Sequence, residues 1–279
     1  MPICTMKEIL HDAQEKSYGV GFYNTINLEM IRACVRAAED ERSPIIIGTA
    51  ESLLRFSDYD WIAPALINAA RLAKVPVAIH LDHAYDYGVI MRAMRAGFGS
   101  VMFDGSVLDY EENVRISSEI AKAAHPMGVG LECELGKVGG LSEGEGIVGE
   151  NIYTDPNQAK EFIERTSADF LAVSIGTTHG EYKEKPRLDF QRLADIKREV
   201  ETPLVLHGGS GLTDHDFKTC IKGGICKVNI YTGVITAAVC KIREDKEKLD
   251  YPNLMKAAEE AMYDVTVSNI RAFGSSNRA

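Results

Sequence analysis

The 279-residue sequence has no long hydrophobic run, since apolar residues nowhere approach eighteen in a row. A transmembrane helix is therefore not expected, because crossing a bilayer takes about 20 predominantly apolar residues. The amino-terminal segment MPICTMKEIL lacks the hydrophobic core of a signal peptide. The six cysteines form no CxxC pair, and most of them lie in apolar runs. These absences predict a cytoplasmic protein whose cysteines are reduced and buried.

Basic residues are fewer than acidic residues, 31 against 41, which gives a formal net charge of -10. Nucleic acid is not an expected partner, because clustered lysines and arginines are needed to bind a phosphate backbone. Solubility accounts for most of the acidic excess. No linker, low-complexity segment or long charge run divides the chain, so we predict a single domain that spans residues 1–279.

Short β-rich runs alternate with amphipathic helical patterns along the whole chain. The runs lie at residues 20–24, 44–49, 76–83, 100–106, 128–136, 169–176, 203–209 and 226–232. Eight strand–helix units in a chain of this length predict an α/β protein with the (β/α)8 TIM-barrel fold, which typically takes about 250 residues. The alternative is a doubly wound open sheet, which often has a glycine-rich dinucleotide loop after its first strand. The first run is followed by YNTINLEM, which has no such loop.

Polar side chains are concentrated where these runs end. They are Asn24, Thr49, Asp82, His83, Asp104, Glu134, His179, His207 and Asn229. In barrel enzymes the active site lies at the carboxyl-terminal ends of the strands, and its residues come from several strands. The pattern therefore predicts an active site at this end of the barrel.

Three histidines each end a separate apolar run, in PVAIHLDH (His83), FLAVSIGTTHG (His179) and PLVLHGGSG (His207). A barrel would bring them together, and three imidazoles with an open fourth position are typical of a catalytic Zn2+ site. His80 lies three residues before His83, so period-2 alternation predicts that the two point to opposite faces of the strand. We interpret His80 as a packed residue or one that supports a ligand.

Four acidic residues lie near the predicted metal ligands. Asp82 could transfer a proton to or from a metal-associated oxygen, or it could orient a ligand. Asp104 and Glu134 could be further metal ligands, hold a second cation, or accept hydrogen bonds from the histidines. Glu132 shares the strand face of Glu134, and one of the two is expected to reach the rim.

Two loops after the last strands, HGGSGL and NIYTG, combine glycines with hydroxyl side chains. Such loops let backbone N–H groups approach an anion, and barrel enzymes often bind phosphate at this position. The loop KVGGLSEGEGIVGEN at residues 137–151 is long and rich in glycine. It is either an ordinary surface loop or a mobile lid that brings a carboxylate over the substrate.

The segments HLDH, FDGS, ECELGKVGG, SIGTTHGEYK, LVLHGGSG and KVNIYT are similar to the class II, zinc-dependent ketose-bisphosphate aldolases, which include the fructose- and tagatose-bisphosphate aldolases. The resemblance runs in order from Gly19 to Asn229 and returns in the tail RAFGSSNRA. It implies reversible cleavage of a ketose 1,6-bisphosphate to dihydroxyacetone phosphate and glyceraldehyde 3-phosphate. It also implies a homodimer or homotetramer.

The resemblance assigns roles to individual residues. It implies that His83, His179 and His207 bind Zn2+, that Asp104 and Glu134 lie close to the metal, and that Asp82 donates a proton to the aldehyde oxygen. The positions that match those holding dihydroxyacetone phosphate are Gly180, Gly208, Gly209, Ser210, Asn229 and Thr232. Asn24, Ile230 and Tyr231 are further candidates for substrate binding.

The sequence departs from the family pattern at several positions. The first acid after the paired glycines of the 137–151 loop is Glu143, which we take as the proton-abstracting base in preference to Glu145. Tyr231 replaces a smaller or acidic residue, and Tyr85 and Asp86 change the side that faces the aldehyde. Arg271 matches a basic position that could meet a second phosphate, or it is a solvated charge at a helix end.

Three alternatives remain for the function. The chain could be an aldolase of the same mechanism that acts on a different phosphorylated ketose. It could be a non-catalytic subunit that retains the fold. It could also be a lyase that forms a Schiff base on Lys227, the one lysine within a predicted strand.

Overall fold

Eight parallel strands form a closed barrel in the computed structural model, which describes residues 4–142, 146–147, 151–180 and 186–279. The strands are β1 (Val20–Asn24), β2 (Ile45–Ala50), β3 (Val77–Ala84), β4 (Ser100–Phe103), β5 (Gly130–Leu135), β6 (Phe170–Val173), β7 (Leu204–Leu206) and β8 (Ile225–Ile230). Each strand pairs in parallel with the next, and β8 pairs with β1 to close the barrel. The predicted (β/α)8 fold is confirmed.

Helices follow the strands on the outside of the barrel, and α1 precedes the first strand. They are α1 (Met6–Lys16), α2 (Leu28–Glu41), α3 (Tyr59–Leu72), α4 (Tyr87–Ala96), α5 (Tyr110–Ala124), α6 (Pro156–Thr166), α7 (Phe190–Glu199), α8 (Asp214–Lys222), α9 (Thr232–Asp245) and α10 (Tyr251–Phe273). Short 3-10 helices cover Glu51–Arg55 and His125–Met127. No helix in the described ranges is both long and apolar enough to cross a membrane.

The interior of the barrel changes from apolar to polar along its axis. At the amino-terminal end, Met6 and Leu10 of α1 pack against Phe22 and Ile46 of the strands and close the barrel. The remaining interior contains buried polar and charged side chains, which are Asn24, His80, Asp82, His83, Glu132, Glu134, His207, Lys227 and Asn229. Burying so many polar groups is costly unless they bind one another or a ligand. The polar part of the barrel interior is therefore a candidate ligand-binding site.

A β-bulge in β3 directs two consecutive side chains into the barrel. Leu81 pairs with Val101 of β4, but the next pair is Ala84 with Phe103, so β3 contains one extra residue there. Leu81 and Ala84 pack in the outer apolar core, whereas Asp82 and His83 both contact residues of the interior. The φ of His83 is +33°, an unusual value for a residue other than glycine. Bulges of this kind re-aim side chains next to active sites.

A second bulge lies in β8. Leu204 pairs with Ile225, and Val205 pairs with Lys227, so Cys226 is the extra residue. Cys226 packs in the inner apolar cluster, and the ammonium group of Lys227 contacts Glu132 inside the barrel. This bulge therefore lets Cys226 and Lys227 both face the interior.

Candidate active site

Three imidazole rings meet at the carboxyl-terminal end of the barrel. His83 lies at the end of β3, His207 follows β7, and His179 lies in the short strand Thr178–His179 after β6. One ring nitrogen of each lies within 4.8 Å of the others, and Nε2 of His83 is 2.7 Å from Nδ1 of His207. All three rings are buried. The structure brings together the three predicted histidines, and three convergent imidazoles can hold a catalytic metal with an open position.

Carboxylates orient two of these rings through the ring nitrogens that point away from the shared space. Nδ1 of His83 lies 2.8 Å from Oδ2 of Asp104, and Nε2 of His207 lies 2.9 Å from Oε1 of Glu132. A ring that donates one N–H to a carboxylate turns its other nitrogen toward the shared space, as metal-binding histidines do. Oδ1 of Asp104 is itself fixed by the backbone N–H of Ser106 at 3.0 Å.

The charges at the site fit a divalent cation. Burial lowers the pKa of His179 and His207 well below the usual value, so both rings are in the neutral form that binds metals. Burial acts in the same direction on His83, but the carboxylates of Asp82 and Asp104 outweigh it and hold its pKa well above the usual value. These carboxylates stabilise positive charge at this point, and a bound divalent cation supplies such charge. The donor set of imidazoles therefore fits Zn2+.

Asp82 is a fully buried carboxylate held by two amides. The side chain of Asn24 donates to its Oδ2 over 2.9 Å, and the side chain of Asn229 donates to its Oδ1 over 2.8 Å. Burial alone would raise the pKa of Asp82, but the positive charges of His83 and Lys227 lower it overall. An ionised carboxylate with both oxygens oriented can accept a proton from a substrate hydroxyl and return it.

Asp104 and Glu134 form a second cluster with His83, in which one donor atom of each lies within 4.8 Å of the others. Oε1 of Glu134 accepts the backbone N–H of Val138 over 2.9 Å, while its Oε2 has no hydrogen-bond partner in the described part of the chain. Burial raises the pKa of Glu134 well above its usual value. These carboxylates could hold a second cation, and Asp104 also supports His83.

A loop and a helix start next to the histidines suit an anion. Gly208 has φ +69°, and a Cβ on it would lie 2.4 Å from the carbonyl oxygen of Thr178, so only glycine fits there. Oγ of Ser210 accepts the backbone N–H of Gly233 over 3.1 Å. Thr232 opens α9, and in the described structure this is the one α-helix whose own N-cap residue, Tyr231, makes no side-chain cap hydrogen bond. Exposed N–H groups at a helix start attract phosphate.

The other predicted substrate-binding residues differ in what they can contribute. Asn24 and Asn229 hold Asp82, as described above, and Gly209 donates its N–H to the backbone oxygen of Asn229 over 3.3 Å. Gly180 follows His179 directly and has φ +84°. Ile230 is buried in the outer apolar core, so its backbone rather than its side chain is available to a ligand. Tyr231 is the residue before α9 and is partly exposed.

Arg271 lies away from this site within one chain, and its contact with a second phosphate stays a prediction. The end of α10 lies at the amino-terminal end of the barrel, because the oxygen of Phe273 accepts the N–H of Gly19, just before β1. There Arg271 forms an ion pair with Glu41 over 2.7 Å and is 68% exposed. This position agrees with the alternative interpretation of Arg271 as a solvated charge at a helix end.

Glu143 and Glu145 lie outside the described residues. The segments on either side of them are held close to the histidines. Gly139 and Gly140 pair in parallel with Thr178 and His179, and Lys137 and Ile152 exchange two backbone hydrogen bonds. The described start of the 137–151 loop is thus joined to the strand that carries His179.

The sequence indicated only part of what three interior residues do. His80 was expected on the opposite face from His83, but the β3 bulge directs both inward, and Nδ1 of His80 lies 2.9 Å from Oγ of Ser100. Glu132 supports His207, although only its shared face with Glu134 hinted at this. Lys227 was considered inside the barrel only as a Schiff-base lysine, and its contact with Glu132 was not predicted.

Comparison with known proteins agrees with the geometry of the site. The sequence matches the family described as "Fructose-bisphosphate aldolase class-II" over residues 4–278. A fructose-bisphosphate aldolase of Staphylococcus epidermidis is 38% identical over an alignment of 286 residues that covers 100% of both chains. One from Staphylococcus aureus is 37% identical with the same coverage.

A solved structure with a similar fold is the crystal structure of the YdjI aldolase from Escherichia coli K12. It has a TM-score of 0.89 and 34% sequence identity, and the match covers 99% of both chains. The chain therefore belongs to the class II fructose-bisphosphate aldolase family and is an aldehyde-lyase.

Proposed function

We propose that the enzyme is a zinc-dependent aldolase that reversibly cleaves a ketose 1,6-bisphosphate of the fructose or tagatose type. The products would be dihydroxyacetone phosphate and glyceraldehyde 3-phosphate. The observation that carries the proposal is the convergence of His83, His179 and His207 next to the amide-held carboxylate of Asp82. Family membership supports the reaction class.

His83, His179 and His207 would hold the Zn2+ ion. When bound, this ion acts as a Lewis acid that polarises the ketone and stabilises negative charge after the C–C bond breaks. Asp104 and Glu132 keep the rings of His83 and His207 oriented through their second nitrogens. Asp104 and Glu134 are also the candidates to hold a second cation.

Asp82 is the proposed acid and base at the aldehyde fragment. In cleavage its carboxylate accepts the proton of the C4 hydroxyl, the C3–C4 bond breaks, and its electron pair stays with the dihydroxyacetone phosphate fragment. In condensation Asp82 returns the proton to the aldehyde oxygen. Asn24 and Asn229 fix both carboxylate oxygens for this transfer. Glu143 remains the candidate that exchanges a proton with C3 of dihydroxyacetone phosphate.

The phosphate of dihydroxyacetone phosphate would bind at the loops after β7 and β8. Gly180, Gly208, Gly209, Ser210 and Thr232 would line this position, and the start of α9, where Tyr231 makes no side-chain cap hydrogen bond, would add N–H donors. Ile230 would contribute through its backbone, and the side chain of Tyr231 would limit the space for the substrate. Holding the phosphate here places the reacting carbons near the three histidines.

The aldehyde fragment would face the loops after β2 and β3. There Oε2 of Glu51 accepts the backbone N–H groups of Tyr85 and Asp86, over 2.8 and 3.1 Å. Differences on this side would decide the configuration at C4 or the choice of another phosphorylated ketose. An activity assay on several ketose phosphates therefore identifies the substrate.

The experiment that tests the proposal is an activity panel on ketose 1-phosphates and on fructose and tagatose 1,6-bisphosphates. Each is assayed after exhaustive chelation and again after Zn2+ is restored. We expect cleavage of at least one bisphosphate to disappear on chelation and to return with Zn2+. Full activity after chelation would overturn the metal requirement. Cleavage of another ketose phosphate alone would change the substrate but keep the mechanism.

Two other functions are less well supported. A Schiff base on Lys227 is disfavoured because this side chain is fully buried and its ammonium lies 2.7 Å from Glu132. Borohydride trapping of dihydroxyacetone phosphate on the protein would support it. A non-catalytic subunit is disfavoured by the oriented Asp82. A homodimer or homotetramer in the cytoplasm stays our prediction for the assembly and its location.

A further inference from the structure

Lys227 is a fully buried lysine whose ammonium group lies beneath the three histidines. Its Nζ is 2.7 Å from Oε2 of Glu132, 4.0 Å from Oδ1 of Asp82 and 4.6 Å from the ring centre of Phe22. Its side chain is 0% exposed in the described structure. Burying an ammonium group costs free energy, so the partners of Lys227 inside the barrel have to compensate for the lost hydration.

Glu132 links this ammonium to a predicted metal ligand. Its Oε2 accepts the hydrogen bond from Lys227, and its Oε1 accepts the hydrogen bond from Nε2 of His207 over 2.9 Å. His207 in turn directs Nδ1 toward His83. Lys227, Glu132 and His207 therefore form a continuous chain that ends at the ring nitrogen facing the other ligands.

The neighbouring group of His80, Asp82 and Glu132 is not a second metal site. His80, Asp82 and Glu132 each offer a donor atom within 4.8 Å of the others, which is a spacing that a metal could use. The ammonium of Lys227, however, already lies within 4.0 Å of both carboxylates. Lys227 thus supplies the positive charge that a metal would bring, and a divalent ion there would be repelled by it.

Lys227 and Asn229 share one face of β8 by strand alternation, and that face points into the barrel. The bulge directs Cys226 and Lys227 inward together, and Asn229 two residues later still reaches Asp82. One strand therefore supports both the metal ligand, through Glu132, and the proton-transfer carboxylate, through Asn229.

We infer that Lys227 is a positioning residue: its ammonium anchors Glu132, and Glu132 holds the ring of His207 with Nδ1 directed at the bound metal. This inference rests on the proposed metal-dependent function. Lys227 touches neither the metal nor the substrate, and it acts through the two side chains above it. Removing its charge leaves Glu132 buried without a counterion, so this carboxylate moves and His207 loses its oriented acceptor.

The test compares Lys227→Met with wild type by chelator competition for Zn2+ and by the visible absorption spectrum of the Co2+-substituted protein. We expect Lys227→Met to bind Zn2+ about 10- to 100-fold more weakly, as is typical when a group behind a ligand is lost. The Co2+ spectrum should change shape, because the orientation of one nitrogen ligand changes. With saturating metal, kcat should fall and KM should stay close to the wild-type value.

Lys197→Met is the matched control. Lys197 is half-buried on α7, and its Nζ contacts only backbone oxygens, those of Val200 and Glu201, at the other end of the barrel. The control removes a lysine charge without touching the chain to His207. It should retain the wild-type Zn2+ affinity and Co2+ spectrum.

A double-mutant cycle tests whether Lys227 acts through Glu132. In the background Glu132→Gln the residue is neutral and needs no counterion, so adding Lys227→Met should weaken Zn2+ binding by much less than it does in wild type. If the two substitutions together weaken Zn2+ binding by the product of their separate factors, Lys227 acts independently of Glu132 and the inference is wrong. If Lys227→Met does not fold, Glu132→Asp keeps the charge but is one methylene too short to reach both partners, and it should change the Co2+ spectrum.

The outcomes separate the two proposals. Wild-type protein that binds neither Zn2+ nor Co2+ would overturn the proposed function. Wild-type binding with an unchanged affinity and an unchanged Co2+ spectrum in Lys227→Met would overturn only the role of Lys227.

Discussion

The side-chain amide of Asn229 donates a hydrogen bond to Oδ1 of Asp82 over 2.8 Å, inside the barrel and next to the three histidines. Because Asn24 holds the second oxygen in the same way, the carboxylate cannot rotate without losing a bond. Two neutral donors fix its direction and add no charge of their own. A proton can therefore be exchanged from a fixed position next to the proposed metal.

Replacing Asp82 with Asn should remove proton transfer and leave metal binding. The variant has nearly the same shape, but its amide cannot accept a proton, and its NH2 group would face the donating amide of Asn24 or Asn229. We expect kcat to fall about 100- to 10,000-fold, the usual contribution of a general acid or base. Steady-state kinetics together with Zn2+ content by atomic absorption would measure both effects.

Asp250→Asn is the control for that variant, since Asp250 caps α10 through the N–H of Asn253 and lies on the surface. Asn caps a helix as well as Asp does, so activity and stability should stay close to wild type. A kcat for Asp82→Asn within a few-fold of wild type would contradict the proton-transfer role.

Replacing Asp104 with Asn should weaken metal binding. The N–H at Nδ1 of His83 would then donate to a neutral amide oxygen instead of a carboxylate, which holds the ring less firmly and makes it a weaker ligand. Zn2+ affinity should drop about 10- to 100-fold, while activity at saturating Zn2+ should be retained in larger part. Chelator competition measures the affinity. Asp109→Asn, at the cap of α5, is a surface control in which the affinity should not change.

The sequence predicted the barrel closely but not the direction of every side chain in it. For β3 the predicted range 76–83 differs by one residue at each end from Val77–Ala84. The convergence of His83, His179 and His207 followed from strand ends alone, because parallel strands of a barrel finish at one rim. Period-2 alternation then failed between His80 and His83 and between Cys226 and Lys227, since each bulge shifts the alternation by one residue. Bulges depend on pairing with neighbouring strands, which a single sequence does not reveal.

Arg271 shows a different limit of sequence reasoning. The tail motif identifies a basic position, but whether Arg271 reaches the rim depends on where α10 ends relative to the barrel. That is set by long-range contacts, such as the hydrogen bond between Gly19 and Phe273 and the ion pair with Glu41. Helical periodicity gives the extent of a helix and does not give its position along the barrel axis.

Thr154 should be important for the stability of the segment that follows the 137–151 loop. Its buried hydroxyl donates to the oxygen of Leu135, at the end of β5, and accepts the N–H of Ser174 over 2.8 Å. Thr154→Val would leave both backbone groups unpaired in the interior. We expect the free energy of unfolding to fall by about 1–3 kcal/mol, measured by urea denaturation.

The control for Thr154→Val is Thr219→Val. The hydroxyl of Thr219 donates to the oxygen of His215 one turn earlier on the exposed face of α8. This substitution should change the free energy of unfolding by no more than about 0.5 kcal/mol. Equal losses in the two variants would show that the buried hydrogen bonds of Thr154 contribute nothing specific.

Gly208→Ala should disrupt the metal site through the backbone. A Cβ at this position would lie 2.4 Å from the oxygen of Thr178, so the strand Thr178–His179 has to move. The left-handed conformation, φ +69°, adds about 1–2 kcal/mol for any residue with a Cβ. Because His179 is carried by that strand, we expect kcat/KM to fall at least about 100-fold, the loss typical of a displacement of about 1 Å. Zn2+ affinity should fall with it.

Gly128→Ala separates the backbone cost from the collision. Gly128 has φ +72°, nearly the same as Gly208, but a Cβ there would meet nothing within 4 Å. It should therefore lose about 1–2 kcal/mol of stability and retain full activity and Zn2+ affinity. Stability from thermal unfolding, kcat/KM and chelator competition are measured on both variants. A Gly208→Ala enzyme that matches Gly128→Ala in all three would refute the coupling between the Gly208 turn and the ligand His179.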